Sequence, residues 1–236
     1  MRFIWDSVVG LKWYEKLLWA LSVIGITLCF FVMGNTDVLT LIASLIGVSG
    51  LIFVAKGNVI GQGMTVIFGL LYAIVSFQYR YWSEVITYLG MTAPIALAAV
   101  VSWIRHPYTK GEVRVRAMKR RDWLILLLLT AAVTFVFWLI LRALSTPNML
   151  FSTISITTSF LAAFLVLLRS EFYGIFYALN DIVLIVLWVL ATIEEPNYLP
   201  MVLCFVVFLI NDLYGFYNWQ RLKRRQTAAP KSQKAK

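Results

Sequence analysis

Between two long apolar stretches the chain carries IRHPYTKGEVRVRAMKRRD, residues 104–122, which holds seven Lys and Arg and one histidine. An excess of Lys and Arg marks the cytoplasmic loops of membrane proteins. The stretch therefore predicts a basic cytoplasmic loop that divides the chain into an earlier and a later half. On both sides of it the sequence is almost wholly apolar. Of the 236 residues, 61% are hydrophobic and 14% charged, with a mean hydropathy of +0.82. A soluble domain carries roughly a quarter charged residues. The composition predicts an all-α polytopic membrane protein.

A bilayer crossing needs about 20 apolar residues. Four such runs precede the loop, at about 17–34, 38–55, 59–79 and 82–103, and four follow it, at about 123–143, 149–168, 173–193 and 198–219. These are spans one to eight. Residues 220–236 form a basic cytoplasmic tail, expected to lack fixed structure from Gln226 to Lys236. Eight spans with the 104–122 loop inside put both termini inside. Nineteen of the 21 Lys and Arg then fall on that side, and only Arg80 and Arg142 fall outside. A different span count would scramble this partition. The formal charge of +10 is thus read as topology. The expected partner is the lipid bilayer, not nucleic acid. The start of the chain lacks the apolar core and cleavage site of a removable signal peptide.

The spans fall into a 1+3+1+3 plan within a single transporter domain. Span one is extra, spans two to four (38–103) and six to eight (149–219) are two triplets, and span five (123–143) links them. An offset of about 113 residues aligns Lys56 with Arg169 and Gly61 with Gly174. Three spans plus one linker helix make the triplets parallel. Parallel repeats around an axis along the membrane normal are a known transporter plan, with the substrate near the midplane between them.

Polar side chains in hydrocarbon are costly and face a cavity or a partner helix. Span eight carries Asn211, Tyr214 and Asn218 on one face, with Asp212 and Trp219 on the next. Span seven carries Asn180 and Asp181 near its middle, and Trp188 on the Asn180 face. Spans three and four meet near Gln78 and Glu84, and Tyr88 shares the Glu84 face. The expected substrate-binding set is Gln78, Glu84, Tyr88, Asn180, Trp188, Asn211, Tyr214 and Asn218. Two readings stand for Asn180 and Asn211, a ligand contact and an interhelical hydrogen bond. Trp82, Trp103 and Trp219 read as interface anchors. Pro94, deep in span four, reads equally as a hinge or a kink. Carboxamides suit hydroxyls and amides, and aromatic faces suit a flat or cationic ring. The lining therefore predicts a polar, ring-bearing, non-anionic small molecule.

Cys29, Cys204 and the lone His106 do not make a zinc shell. No Ser-His-Asp set or P-loop pattern is present. A non-enzymatic transporter without metal or cofactor is expected, with a membrane receptor as the lesser alternative. A homo-oligomer is compatible with this plan.

Asn211-x-x-Tyr214-Gly215-x-Tyr217-x-Trp219 followed by a basic end, Gln78-x-x-Tyr81, and the three-plus-one-plus-three plan resemble the PnuC family of bacterial vitamin B3 transporters over about residues 38–220. That family is similar in architecture to the SWEET sugar transporters, whose Pro-Gln pair this chain lacks. The resemblance implies facilitated diffusion of nicotinamide riboside across the bacterial cytoplasmic membrane by alternating access. It also implies trapping of the product by a separate cytoplasmic kinase. Related members are thought to carry thiamine, riboflavin or deoxynucleosides, so these and proton coupling through Asp181 or Asp212 stand as alternatives.

Overall fold

A computed structural model describes residues 10–32, 37–78, 82–109, 111–146, 148–194 and 196–228, with the backbone alone at 83 and 197. Arg2, Gly34, Arg80, Tyr81, Lys110, Lys231, Lys234 and Lys236 lie outside the described residues. Eight described helices are long and apolar enough to cross a membrane. Span one is Trp13–Val32, span two Val38–Ala55 and span three Val59–Gln78. Span four has three parts, Trp82–Thr87, a π-helical turn Tyr88–Thr92, and Ala93–Arg105. Spans five to eight are Arg120–Ala143, Met149–Leu167, Tyr173–Glu194 and Leu199–Ala228. The chain is a multi-pass membrane protein.

One boundary is corrected. Span eight was expected to end at 219, with Gln226 onward unstructured, yet its helix continues for 30 residues to Ala228. At ~1.5 Å per residue it outruns a bilayer core about 30 Å thick. Tertiary bonding explains the extension. The Gln226 Oε1 accepts the Val115 N–H at 2.9 Å, and its Nε2 donates to Glu112 Oε1 and the Val113 carbonyl. A buried polar group that is fully partnered fixes the helix it sits on.

The 104–122 loop is also ordered. Pro107–Thr109 (β1) and Glu112–Val113 (β2) pair antiparallel, and Gly111 turns between them at φ 96°. The loop is tied to both short turns at its end of the bundle. The Val113 N–H donates to the Gly57 carbonyl, and the Arg116 N–H to the Arg169 carbonyl, each at 2.9 Å. We call this the basic end.

Helix contacts form a ring in the order two, three, four, six, seven, eight and back to two. Span one packs on spans two and eight, and span five chiefly on span six. The two turns at the basic end are built alike. Gly57 and Arg169, 112 residues apart, both take left-handed φ, 68° and 58°. The following residues, Asn58 and Ser170, each donate a backbone N–H five residues back, to Phe53 and Leu165. Their side chains accept from Ile60 and Phe172. The register here is therefore 112, one residue shorter than the alignment of Lys56 with Arg169.

Two tryptophans cross between the triplets reciprocally. Trp103 Nε1 donates to the Val166 carbonyl at 3.0 Å, and Trp219 Nε1 to the Val54 carbonyl at 2.9 Å. Val54 and Val166 are again 112 apart. The two indole rings meet at 5.4 Å. Both are buried, at 2% and 0% exposure, so neither is the interface anchor expected. Trp82 stays exposed.

Candidate substrate cavity

A cavity lies at the centre of the helix ring. Span two contributes Gly47, Leu51 and Val54, span three Gln62, Thr65 and Phe68, and span four Tyr88 and Thr92. Span six contributes Ser159, span seven Tyr173, Tyr177, Asn180, Asp181 and Leu184, and span eight Phe205, Phe208 and Asp212. Spans one and five line none of it. Three pairs of lining residues, Gly47 and Ser159, Thr65 and Tyr177, and Phe68 and Asn180, keep the 112-residue register of the turns.

Local structure sets what each wall presents. Pro94 has no N–H to donate to the Gly90 carbonyl. The helix widens just before it, and the Ala93 N–H bonds to the Tyr88 carbonyl, five residues back. The resulting π-helical turn puts Tyr88 and Thr92 on the cavity together. Such turns recur at functional sites. Gly47 makes room for aromatic walls, since a Cβ there would meet Phe208 at 2.7 Å and Phe68 at 2.9 Å. Gly215 admits the Tyr173 hydroxyl, which a Cβ would meet at 2.5 Å.

Polar groups converge from span seven. Asn180 Oδ1 accepts from Thr158 Oγ1 at 2.9 Å and Ser155 Oγ at 3.4 Å, which pins the carboxamide. Asp181 and Asp212, each 3% exposed, both line the cavity. Asp181 Oδ2 and Thr92 Oγ1 are buried without a partner among the described residues. Buried polar groups are nearly always satisfied, so these two are open to a ligand. Among the described residues, no Lys, Arg or His lines the cavity.

Rings pack together toward both ends. Tyr72 and Tyr88 meet at 4.4 Å, Phe68 and Phe208 at 5.6 Å, and Tyr72 and Phe205 at 6.3 Å, on the side away from the basic end. At the basic end Tyr173 meets Trp219 edge to face at 4.9 Å, beside the Trp103 ring.

Of the expected site residues, Tyr88 and Asn180 line the cavity. Trp188 is buried one turn beyond Leu184, its ring 5.7 Å from that of Tyr198. Glu84 is buried on span four outside the lining, and Gln78 is exposed at the end of span three. The Asn211, Tyr214 and Asn218 face turns the other way. Asn211 Nδ2 donates to Ser22 of span one at 3.0 Å, and Asn218 Nδ2 to the Ala55 carbonyl at 2.7 Å. The Tyr214 hydroxyl donates to Glu15 Oε1 at 2.6 Å, and the same carboxylate pairs with Lys56 at 3.1 Å. The adjacent face, with Asp212, meets the cavity. Gln62, Tyr173 and Tyr177 were missed. Tyr173, Tyr177 and Asp181 recur every four residues, a stripe that helical spacing alone displays.

Residues 37–221 match the nicotinamide mononucleotide transporter family. The chain belongs to this family. The chain is similar to the nicotinamide riboside transporters PnuC of Neisseria mucosa and Haemophilus influenzae. The first is 25% identical over 237 residues, covering 94% of this chain and 90% of the relative. The second is 25% identical over 223 residues, covering 93% and 95%. The crystal structure of the vitamin B3 transporter PnuC matches with a TM-score of 0.82 at 25% identity, over 94% of this chain and 97% of that one. This family member therefore shares the fold of a transporter along nearly its whole length.

Proposed function

We propose that the chain carries nicotinamide riboside across the bacterial cytoplasmic membrane by facilitated diffusion, with its basic end in the cytoplasm. The observation that carries this reading is the cavity lining, which combines two carboxyls, two carboxamides and aromatic walls with no basic side chain. Nicotinamide riboside has one cationic pyridinium ring, an amide and ribose hydroxyls. Aromatic faces attract a cationic ring, and Asp181 and Asp212 add negative potential. Asn180 and Gln62 suit the amide and hydroxyls. The phosphorylated mononucleotide would add negative charge beside two carboxyls with no cation to meet it. This favours the riboside over the mononucleotide, and it explains how phosphorylation by a separate kinase would trap the product. PnuC relatives named as nicotinamide riboside transporters support the same substrate.

Alternating access fits a pair of parallel three-helix units that rock about the central axis. The common 112-residue register and the reciprocal tryptophan bonds support that reading. Tyr88 and Asn180 would touch the substrate in the cavity, while Glu84 and Trp188 would border its path beyond the aromatic layer. The two neighbouring carboxyls favour one second reading, proton-coupled uptake.

Uptake into liposomes containing the purified protein separates these readings. Labelled nicotinamide riboside should equilibrate to the same level with and without a pH gradient, and the mononucleotide should stay outside. Accumulation above equilibrium under a pH gradient would establish the coupled reading instead. Equal entry of the mononucleotide, or no entry of either, would overturn the proposal.

A further inference from the structure

Glu84, near the end of span four away from the basic end, is a buried acid with nothing to hold it. It is 8% exposed, and among the described residues no hydrogen bond or ion pair engages it. Glutamates are almost never buried unless paired. Ser76, on span three, is 1% exposed, and its Oγ is buried without a partner among the described residues. A helical serine can bond the carbonyl one turn back, and this one does not. Neither side chain lines the central cavity.

Helix geometry brings these two groups to one level. The Tyr72 and Tyr88 rings meet at 4.4 Å, so spans three and four are level there. Span three runs away from the basic end and span four toward it. Ser76, one turn after Tyr72, and Glu84, one turn before Tyr88, are therefore level again, roughly 6 Å further from the basic end. The second triplet brings Trp188 to the same place. Trp188 keeps the 112-residue register with Ser76, as Asn180 does with Phe68 in the cavity lining. It is 4% exposed and packs in one buried cluster with Tyr72, Tyr88 and Phe205. An acid, a hydroxyl and an indole thus share a level just beyond the layer of those three rings.

We propose that Glu84, Ser76 and Trp188 form an outer site that takes the cationic ring of the substrate before it passes the ring layer. Its part in transport rests on the riboside reading above, while its binding chemistry stands on these residues. The carboxylate attracts positive charge, the indole face holds a cationic ring, and the serine hydroxyl bonds an amide. Glu84 determines specificity here, since it tells a pyridinium from a neutral pyridine ring. Negative charge at the mouth of a pathway also raises the local concentration of a cation. Ser76 lies two turns, roughly 12 Å, beyond Phe68, so a ring at this level leaves the central cavity free for another.

The test uses the full chain in uncharged detergent. It is titrated calorimetrically with 1-methylnicotinamide, the bare cationic ring, and with nicotinamide, its neutral counterpart. Thermal melting checks that each variant is folded. The parent should bind two equivalents of the cation, one at the centre and one at the outer site. Glu84→Gln should bind one, and Glu84→Asp, which keeps the charge, two. Fewer than two equivalents in the parent, or two in Glu84→Gln, overturns the proposal, as does a second equivalent of nicotinamide. Ser76→Ala should weaken the second equivalent severalfold. If Glu84→Gln does not fold, a second equivalent left unchanged by Ser76→Ala overturns the site instead. In liposomes Glu84→Gln should raise the KM for riboside entry tenfold or more, with a smaller change in kcat. An unchanged KM overturns the role in entry. A parent that carries no riboside defeats the transport reading alone, because the titration still decides the outer site.

Discussion

Asp181 and Asn211 show how two polar residues on neighbouring helices come to different ends. Each has one oxygen buried without a partner among the described residues, but Asp181 lines the cavity, whereas Asn211 lies outside the lining and donates its amide N–H groups to Ser22 and the Val207 carbonyl. Asp181→Asn should therefore weaken nicotinamide riboside binding about tenfold, or ~1.4 kcal/mol, with little change in melting temperature. Asn211→Ala should do the reverse, losing about 1–3 kcal/mol of stability while leaving affinity in place. Paired calorimetry and thermal melts would show the two effects exchanged if the assignment is wrong. The sequence displayed both polar faces of span eight, Asn211 with Tyr214 and Asn218, and Asp212 beside them. It did not display which face meets the centre. Successive helical residues differ by about 100°, and the choice depends on where span one docks. Glu15, fully buried, draws Tyr214 and Lys56 toward that helix. Nothing in the local pattern of span eight announces a partner nearly 200 positions away.

At the scale of the helix, glycines divide into those that carry a close approach and those that do not. A Cβ on Gly174 would meet the Phe216 backbone nitrogen at 2.6 Å and the Asp212 carbonyl oxygen at 2.7 Å. One on Gly61 would meet the Val54 backbone nitrogen at 2.4 Å. Backbone cannot swing aside, so Gly174→Ala and Gly61→Ala should each cost about 1–3 kcal/mol by overpacking. Gly63→Ala meets nothing within 4 Å and should be neutral or slightly stabilising. Equal melting temperatures for all three would contradict the packing described. Span one offers a second test. Glu15 is 0% exposed and its partner Lys56 27%. Glu15→Ala strands Lys56 and the Tyr214 hydroxyl, so a loss near ~3 kcal/mol is expected, at the low end for broken buried pairs because Lys56 reaches water. Span positions were readable to within a few residues because apolar length is a local property. The extension to Ala228 was not, because a long-range bond from Gln226 to the 104–122 loop sets it.

Over the whole molecule, the basic end is where the two halves are joined. Trp103 and Trp219 each reach the other triplet's first helix, and their rings touch on the way. Trp103→Phe and Trp219→Phe should each lower stability by about 1 kcal/mol. Because the rings share a contact, the double variant should fall short of or exceed the sum. Strict additivity would show that the two bonds are independent. The ring of six helices around one cavity was legible as two apolar triplets flanking a basic loop. Its lining was only half legible, because helical spacing presents several stripes and the bundle selects one. The proposed function requires the cavity to accept a cationic riboside and refuse its phosphate. Calorimetric titration of the purified protein with nicotinamide riboside and with nicotinamide mononucleotide tests this most directly. The account predicts saturable binding of the riboside and none of the mononucleotide. Mononucleotide binding as tight as the riboside, or tighter, would contradict it.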